Sequence, residues 1–238
     1  MLVEAAASAP FNSTQPITSV LFDFHSTLVD QGDAGDWLQR ALAHAPHEIS
    51  DHAAAELIAF LDRVWENARV LDPLSLRDRS AADHARVFHE LLGHGPSVDQ
   101  SLANALYEVL LDTWHAYDDA VPTLQALRSM GIRIGLLSNI GVSIHHVLLR
   151  EGLADLVDAV VLSYEVDAVK PDAQIFQAAL DALGSSPAET LMVGDSGHDD
   201  VGGTALGMRT LVLPRTRGAV HGLSAVVGLV AASSRLSG

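Results

Sequence analysis

Five short apolar runs constrain this chain more than any other feature of its sequence. They span residues 18–24, 132–137, 159–162, 191–193 and 210–213. Each is rich in strand formers and too short for a helix, as in Val20, Leu21, Phe22 and Phe24 of the first. Segments of helical spacing separate them. Strands that are apolar throughout are buried on both faces, and strands alternating with helices pair in parallel. The expected fold is therefore α/β, a doubly wound parallel sheet with a Rossmann-like core.

The connections carry their own signals. Residues 119–130 read as a helix with Val121, Leu124 and Leu127 on one face, stopped by Gly131. Ser186-Pro187-Ala188-Glu189 reads as a capping box with Pro at the first helical position. Residues 30–117 exceed what a crossover between two strands requires and have helical spacing throughout, so they read as an inserted helical domain. Its segments carry Leu57, Ile58, Leu61, Val64 and Trp65; then Val87, Phe88, Leu91 and Leu92; then Leu102, Leu106, Val109 and Leu110. Ser97 with Gln100 supplies a capping box for the last. The expected organisation is a loose tail at 1–16, a core built from 17–29 and 118–238, and the insertion at 30–117.

Composition narrows the function. With 48% apolar and 18% charged residues, and no apolar run long enough to span a bilayer, the chain reads as neither disordered nor membrane-integral. Residues 1–16 have no basic start before an apolar run, so they do not read as a secretory signal. A net charge of -16 opposes nucleic acid, and a small anionic substrate would need a local positive site. The absence of cysteine excludes disulfides, thiolate nucleophiles and Cys-based zinc sites, and fits a reducing cytoplasm. Of the 14 basic residues only Lys170 is lysine.

Parallel strands send their C-terminal ends to one edge of the sheet, where ligands bind at a switch in strand order. Asp23 and His25 follow the first strand, Ser138 and Asn139 the second, Lys170 the third, and Asp195, Asp199 and Asp200 the fourth. Taken singly, a strand-end Asp is a turn or cap residue, Ser138-Asn139 starts a helix, and Lys170 is a loop charge. Their convergence on one edge argues for a site instead.

These positions resemble the motifs of the haloacid dehalogenase-like hydrolases, most of which are magnesium-dependent phosphatases with an aspartate nucleophile. The first motif is Asp23-Phe24-His25-Ser26-Thr27-Leu28, the second Leu137-Ser138-Asn139, and the third Lys170-Pro171-Asp172. The fourth is Gly194-Asp195-Ser196-Gly197-His198-Asp199-Asp200-Val201-Gly202-Gly203. A helical cap between the first two motifs is also the family's pattern. The resemblance implies a phosphohydrolase of small phosphorylated metabolites acting through an aspartyl-phosphate on Asp23. Magnesium would be held by Asp23, the His25 carbonyl, Asp195 and Asp200, the last ranked ahead of Asp199. Ser138, Asn139 and Lys170 would hold the phosphoryl group, with Lys170 as a compact charge that arginine does not replace.

His25 departs from the pattern, because phosphatases of the family usually carry Asp there as general acid and base. Imidazole, with an ordinary pKa near ~6.5, can do that work, so His25 is expected to shuttle the proton. Two rival readings remain: a 2-haloacid hydrolase working through an ester at Asp23, and a catalytically weak ligand-binding member. No nucleic-acid or membrane partner is expected from the charge and the apolar runs, and the chain is expected to be a monomer or homodimer.

Three further groups are weighed. Seven of the 12 histidines fall in the insertion (His44, His47, His52, His84, His89, His94 and His115) without ligand spacing, and read as scattered on the surface. Trp37, Trp65 and Trp114 read as core of the insertion, with Trp37 the best placed to reach substrate. Tyr164 and Glu165 either orient Lys170 or shape its loop.

Overall fold

The computed structural model describes residues 15–236; the expected tail lies almost wholly outside them. The chain opens with β1 (Ser19–Phe22) and the two-residue β2 (Val29–Asp30). Five helices follow: α1 (Ala34–His44), α2 (Asp51–Leu61), α3 (Val64–Leu71), α4 (Ala81–Gly93) and α5 (Gln100–Glu108). A 3-10 turn at Leu76–Asp78 lies between α3 and α4. Then come β3 (His115–Ala116), α6 (Ala120–Ser129), β4 (Arg133–Ser138), α7 (His145–Arg150), β5 (Ala159–Leu162), α8 (Ser163–Val166) and α9 (Ala173–Leu183). The chain ends with β6 (Thr190–Gly194), β7 (Arg209–Val212) and α10 (Ser224–Leu236).

β1, β4, β5, β6 and β7 form one parallel sheet in the order β5-β4-β1-β6-β7. The sheet is α/β as its apolar runs imply: Val20, Phe22, Ile134, Leu136 and Val193 pack toward α6 and α10, and Leu21, Leu137 and Met192 toward α9. At Gly135, beside Leu21 in the register, a Cβ would fall 2.6 Å from the Leu21 side chain and 2.8 Å from Leu183, so glycine is what lets α9 lie close. β1 is central, with the chain passing first to one side of it and then to the other. That reversal opens a crevice at the C-terminal ends of β1, β4 and β6.

The five helices between β2 and β3 have a core of their own, with Trp37, Leu57, Leu61, Phe88, Leu92, Leu102 and Leu106 buried together. The short antiparallel pair β2–β3 forms the stem, pairing Val29 with Ala116 and Asp30 with His115. Gly32 beside it has φ +77°, and a Cβ there would stand 2.4 Å from the Thr113 carbonyl oxygen.

Local details correct several expectations. The apolar segment from Leu57 to Trp65 is two helices, α2 and α3, broken at Asp62-Arg63. α5 is capped by Asp99, whose carboxylate accepts from Leu102 N at 2.8 Å, while Ser97 sits in a turn at φ 60° and caps nothing. Ser186–Glu189 forms only a 3-10 turn, since β6 begins at once; the Ser186 hydroxyl donates to the Glu189 carboxylate at 2.6 Å instead of capping the backbone. The carboxylate of Asp119, before α6, accepts from His221, Gly222 and Leu223 N and so fixes the approach to α10. Among the described residues no helix is long and apolar enough to cross a membrane.

Candidate active site

The register of the sheet brings the strand-end residues together. Asp23 follows β1 directly, its backbone N–H donating to Val193 O at 2.8 Å, and Asp195 follows β6. Lys170 Nζ lies between two carboxylates, 2.7 Å from Asp23 Oδ1 and 2.6 Å from Asp200 Oδ1. Thr27 donates to the other Asp23 oxygen at 3.1 Å, and Ser196 N to the other Asp200 oxygen at 2.9 Å. Asp23, Lys170 and Asp200 are all buried. A Cβ on Gly194 would sit 2.0 Å from Asp200 Oδ2, so this glycine makes room for the carboxylate.

Charge at this point is out of balance. Carboxylate oxygens of Asp23, Asp195 and Asp200 lie within 4.8 Å of one another around a single ammonium. Burial pushes the Asp23 carboxyl up to about 7; Lys170 pulls against that rise, and Asp200 and Asp195 add to it. Asp195 is raised too, by burial first and then by Asp200. Lys170 is raised because the attraction of Asp200 and Asp23 outweighs its burial. Three hard oxygen donors with negative charge to spare fit a divalent cation such as magnesium.

Asp199 stands apart from this cluster. Its carboxylate accepts from Ser196 Oγ at 3.1 Å and lies 2.7 Å from His198 Nδ1. Ser138 ends β4, buried, and lines the cavity. Asn139 instead brackets the main chain of Lys170, donating to its carbonyl at 3.0 Å and accepting from its N–H at 2.7 Å. Of the two roles weighed for Tyr164 and Glu165 this favours the loop role: they hydrogen-bond each other at the surface and leave the Lys170 main chain to Asn139.

His25 is the largest correction. Its ring packs against both Trp65 and Trp114, with centroids 4.7 and 4.6 Å away, and its Nε2 is buried without a partner. Nδ1 meets only Ser26 Oγ, at 3.2 Å. Burial, and then the positive charge of Arg215 and Arg69, push its pKa down to about 3, so the ring is neutral at physiological pH. A neutral imidazole without a carboxylate partner does not favour the proton-donor half of the role expected from sequence.

A cavity of about 550 Å³ joins these residues to the helical insertion. Trp65, Arg69, Arg77, Asp78 and His84 line it from the insertion side, and Trp114 from the stem. Trp37 does not reach it; its indole N–H donates to Leu106 O at 2.9 Å inside the insertion's core. His84, expected on the surface, is buried with Nδ1 2.9 Å from the Tyr107 hydroxyl, and burial lowers its pKa to about 3. The loop from Asp72 to Arg79 escaped sequence reading. Its signal was Arg77-Asp78-Arg79 following Pro73, a charged run at a break between helices.

Comparison with known proteins agrees with this geometry. The model of the haloacid dehalogenase-like hydrolase family matches residues 17–207. A glyceraldehyde 3-phosphate phosphatase of Methanopyrus kandleri is 30% identical over 84% of this chain and 84% of its own length. An (S)-2-haloacid dehalogenase of a Pseudomonas species is 36% identical over 84% of this chain and 86% of its own. In fold, the chain resembles the crystal structure of a phosphatase from Thermococcus onnurineus, with TM-score 0.59 and 24% identity over 90% of this chain and 98% of the other. The sheet, the strand-end residues and a family match over most of the chain lead to one conclusion: this protein is an enzyme of the haloacid dehalogenase-like hydrolases.

Proposed function

We propose that the chain is a magnesium-dependent phosphohydrolase of small phosphorylated metabolites, working through an aspartyl-phosphate on Asp23. The observation that carries this reading is the surplus of carboxylate around Lys170, which calls for a dication and then a phosphoryl group. Asp23, Asp195, Asp200 and the His25 carbonyl would hold the magnesium, which when bound neutralises phosphate charge and screens the carboxylates from it. In this reading Asp23 Oδ2, oriented by Thr27, attacks phosphorus. Lys170 and Ser138 steady the transferring oxygens. Asn139 positions Lys170 through its main chain rather than binding phosphate. The five helices act as a cap over the cavity, in which Trp65, Trp114 and the His25 ring form an apolar wall that limits bulk water around the phosphoryl site.

A second reading has a specific observation behind it, the 36% identity to a haloacid dehalogenase. There Asp23 would displace halide from a 2-haloacid, chemistry that gains nothing from Asp195 and Asp200 as metal ligands. A weak binding protein is disfavoured by the intact Asp23–Lys170–Asp200 bridge. Small soluble substrates, a monomer or homodimer, and a cytoplasmic setting complete the proposal; the net charge of -16 disfavours polyanion partners.

The test is a screen of phosphorylated metabolites for phosphate release and of 2-haloacids for halide release, each with and without magnesium. Magnesium-dependent phosphate release is expected, and metal-independent halide release alone would overturn the reading. Asp23→Asn should then cut phosphate release by at least about 10⁴-fold and abolish trapping of a phosphoryl-enzyme.

A further inference from the structure

Both halves of phosphoryl transfer through Asp23 move a proton. The leaving oxygen needs one, and the attacking water must lose one. His25, at the position from which the family pattern supplies it, packs its ring against two tryptophans and buries Nε2 without a partner. The same cavity is lined by a carboxyl group that the phosphohydrolase reading leaves unused. Asp78 is 5% exposed, lines the same cavity as Asp23 and Lys170, and ends the 3-10 turn between α3 and α4.

This turn belongs to the insertion but is fastened to the core. Ser163 Oγ donates to Asp78 O at 2.5 Å and accepts from Ile140 N at 2.8 Å, tying Asp78 to the segment that follows Ser138. The Arg77 carbonyl packs so closely on Gly141 that a Cβ there would stand 2.1 Å from it. The carboxyl of Asp78 thus has a fixed place relative to the phosphoryl site, not the mobility of a surface loop.

The groups around it leave it a proton. On its own loop Arg77 is shared between two acids, 3.3 Å from Asp72 Oδ2 and 3.4 Å from Asp78 Oδ2. Asp72 also accepts from the backbone N–H groups of Leu76 and Arg77, at 3.1 and 2.9 Å. From α4, packed on the turn, the facing titratable group is His84, itself neutral. Arg79 turns away to Asp167 and Asp172. From the core Asp199 raises the pKa of Asp78 and Lys170 lowers it. The net result, with burial the largest cause, is a carboxyl pushed up to about 7.

We propose that Asp78, supplied by the insertion, is the general acid and base of this hydrolase in place of the residue at position 25. As Asp23 forms its bond to phosphorus, the bond to the leaving oxygen breaks, and that oxygen takes the Asp78 proton and departs as an alcohol. The Asp78 carboxylate then takes a proton from water as the water oxygen attacks the aspartyl-phosphate. Phosphate leaves, and Asp23 is regenerated as carboxylate and Asp78 as acid.

The assignment rests on the phosphohydrolase reading, and leaving-group dependence separates the two. p-Nitrophenol leaves as its anion without help, whereas an alkoxide needs the proton. Asp78→Asn should lower kcat/KM for an alkyl phosphate by about 10²- to 10⁴-fold and for p-nitrophenyl phosphate by less than about tenfold. Asp78→Glu should recover part of the alkyl rate. In the wild type, should the Asn variant not fold, the alkyl-to-aryl rate ratio should fall as pH rises through about 7, where Asp78 loses its proton. Equal losses on both esters, or a ratio flat between about pH 5.5 and 8.5, would overturn the role of Asp78 while leaving the phosphohydrolase standing. Wild-type enzyme that releases phosphate from neither ester with magnesium, and traps no phosphoryl-Asp23, would overturn both.

Discussion

The two walls of the cavity are built on different principles. On the core side, Asp23, Ser138, Lys170 and Asp195 issue from separate segments that the parallel sheet brings to one edge, where ion pairs at 2.6 and 2.7 Å join Lys170 to Asp200 and Asp23. On the insertion side, Arg77 and Asp78 come from one loop, seated by a few side-chain and close-packing contacts: Ser163 on Asp78 O, Gly141 under Arg77 O, and Arg79 on Asp167. The first wall is fixed by the fold, and the second only by docking. Reaction type is therefore written into the sheet. Substrate choice and proton supply are left to a part that can vary without disturbing it.

The sharpest way to break this contrast is to damage each wall with a change that leaves the other intact. Lys170→Arg keeps the charge of the core wall but not its shape. The ammonium fits between two buried carboxylates with no room for a planar fork, so kcat should fall by about 10²- to 10³-fold. Steady-state kinetics would show it, and a near-normal kcat would mean that the core wall tolerates loss of shape. Gly141→Ala strikes the docking. Its methyl group would overlap the Arg77 carbonyl, and overpacking of that kind costs about 1–3 kcal/mol. KM should rise roughly 10- to 100-fold while Asp23 can still be labelled. An unchanged KM would show that the loop need not seat closely for substrate to bind.

The same contrast explains what the sequence made legible. Strand ends are marked by apolar runs of period and length that physics restricts to buried parallel strands, so Asp23, Ser138, Lys170 and Asp195 were visible as neighbours before any coordinates. Lys170 was marked twice, as a strand-end residue and as the only lysine in the chain. The insertion announced its helices through Phe88, Leu92, Leu102 and Leu106 but not its loop. No periodicity places Asp78 in the same cavity as Asp23, because that depends on where the Arg77 turn lands on Gly141. Trp37 and Trp65 carry the same local signal, an indole in a helical apolar pattern; only packing sends one into the insertion's core and the other onto His25. His25 misleads for a related reason: residue type suggested a pKa near neutrality, and burial against two indoles lowers it.

His25 therefore offers the smallest effect on activity and the finest test of the two walls, since it sits where they meet. If its ring is an uncharged part of the aromatic wall, His25→Phe should lower kcat by less than tenfold and leave the pH profile in place. Its stability should show the change instead. The folded-state pKa of about 3 lies below the ordinary value of 6.5, so below pH 6.5 the unfolded chain takes up a proton that the folded chain refuses. The contribution of His25 is thus intact above pH 6.5 and is lost progressively as pH falls toward 3. At pH 5 the penalty is about 2 kcal/mol for one proton over that interval, and phenylalanine, which cannot titrate, escapes it. Urea unfolding at pH 7.5 and pH 5 should find His25→Phe gaining about 2 kcal/mol on wild type between the two. An equal difference at both pH values would mean that His25 titrates normally in the folded protein, which would return it as a rival to Asp78 for the proton.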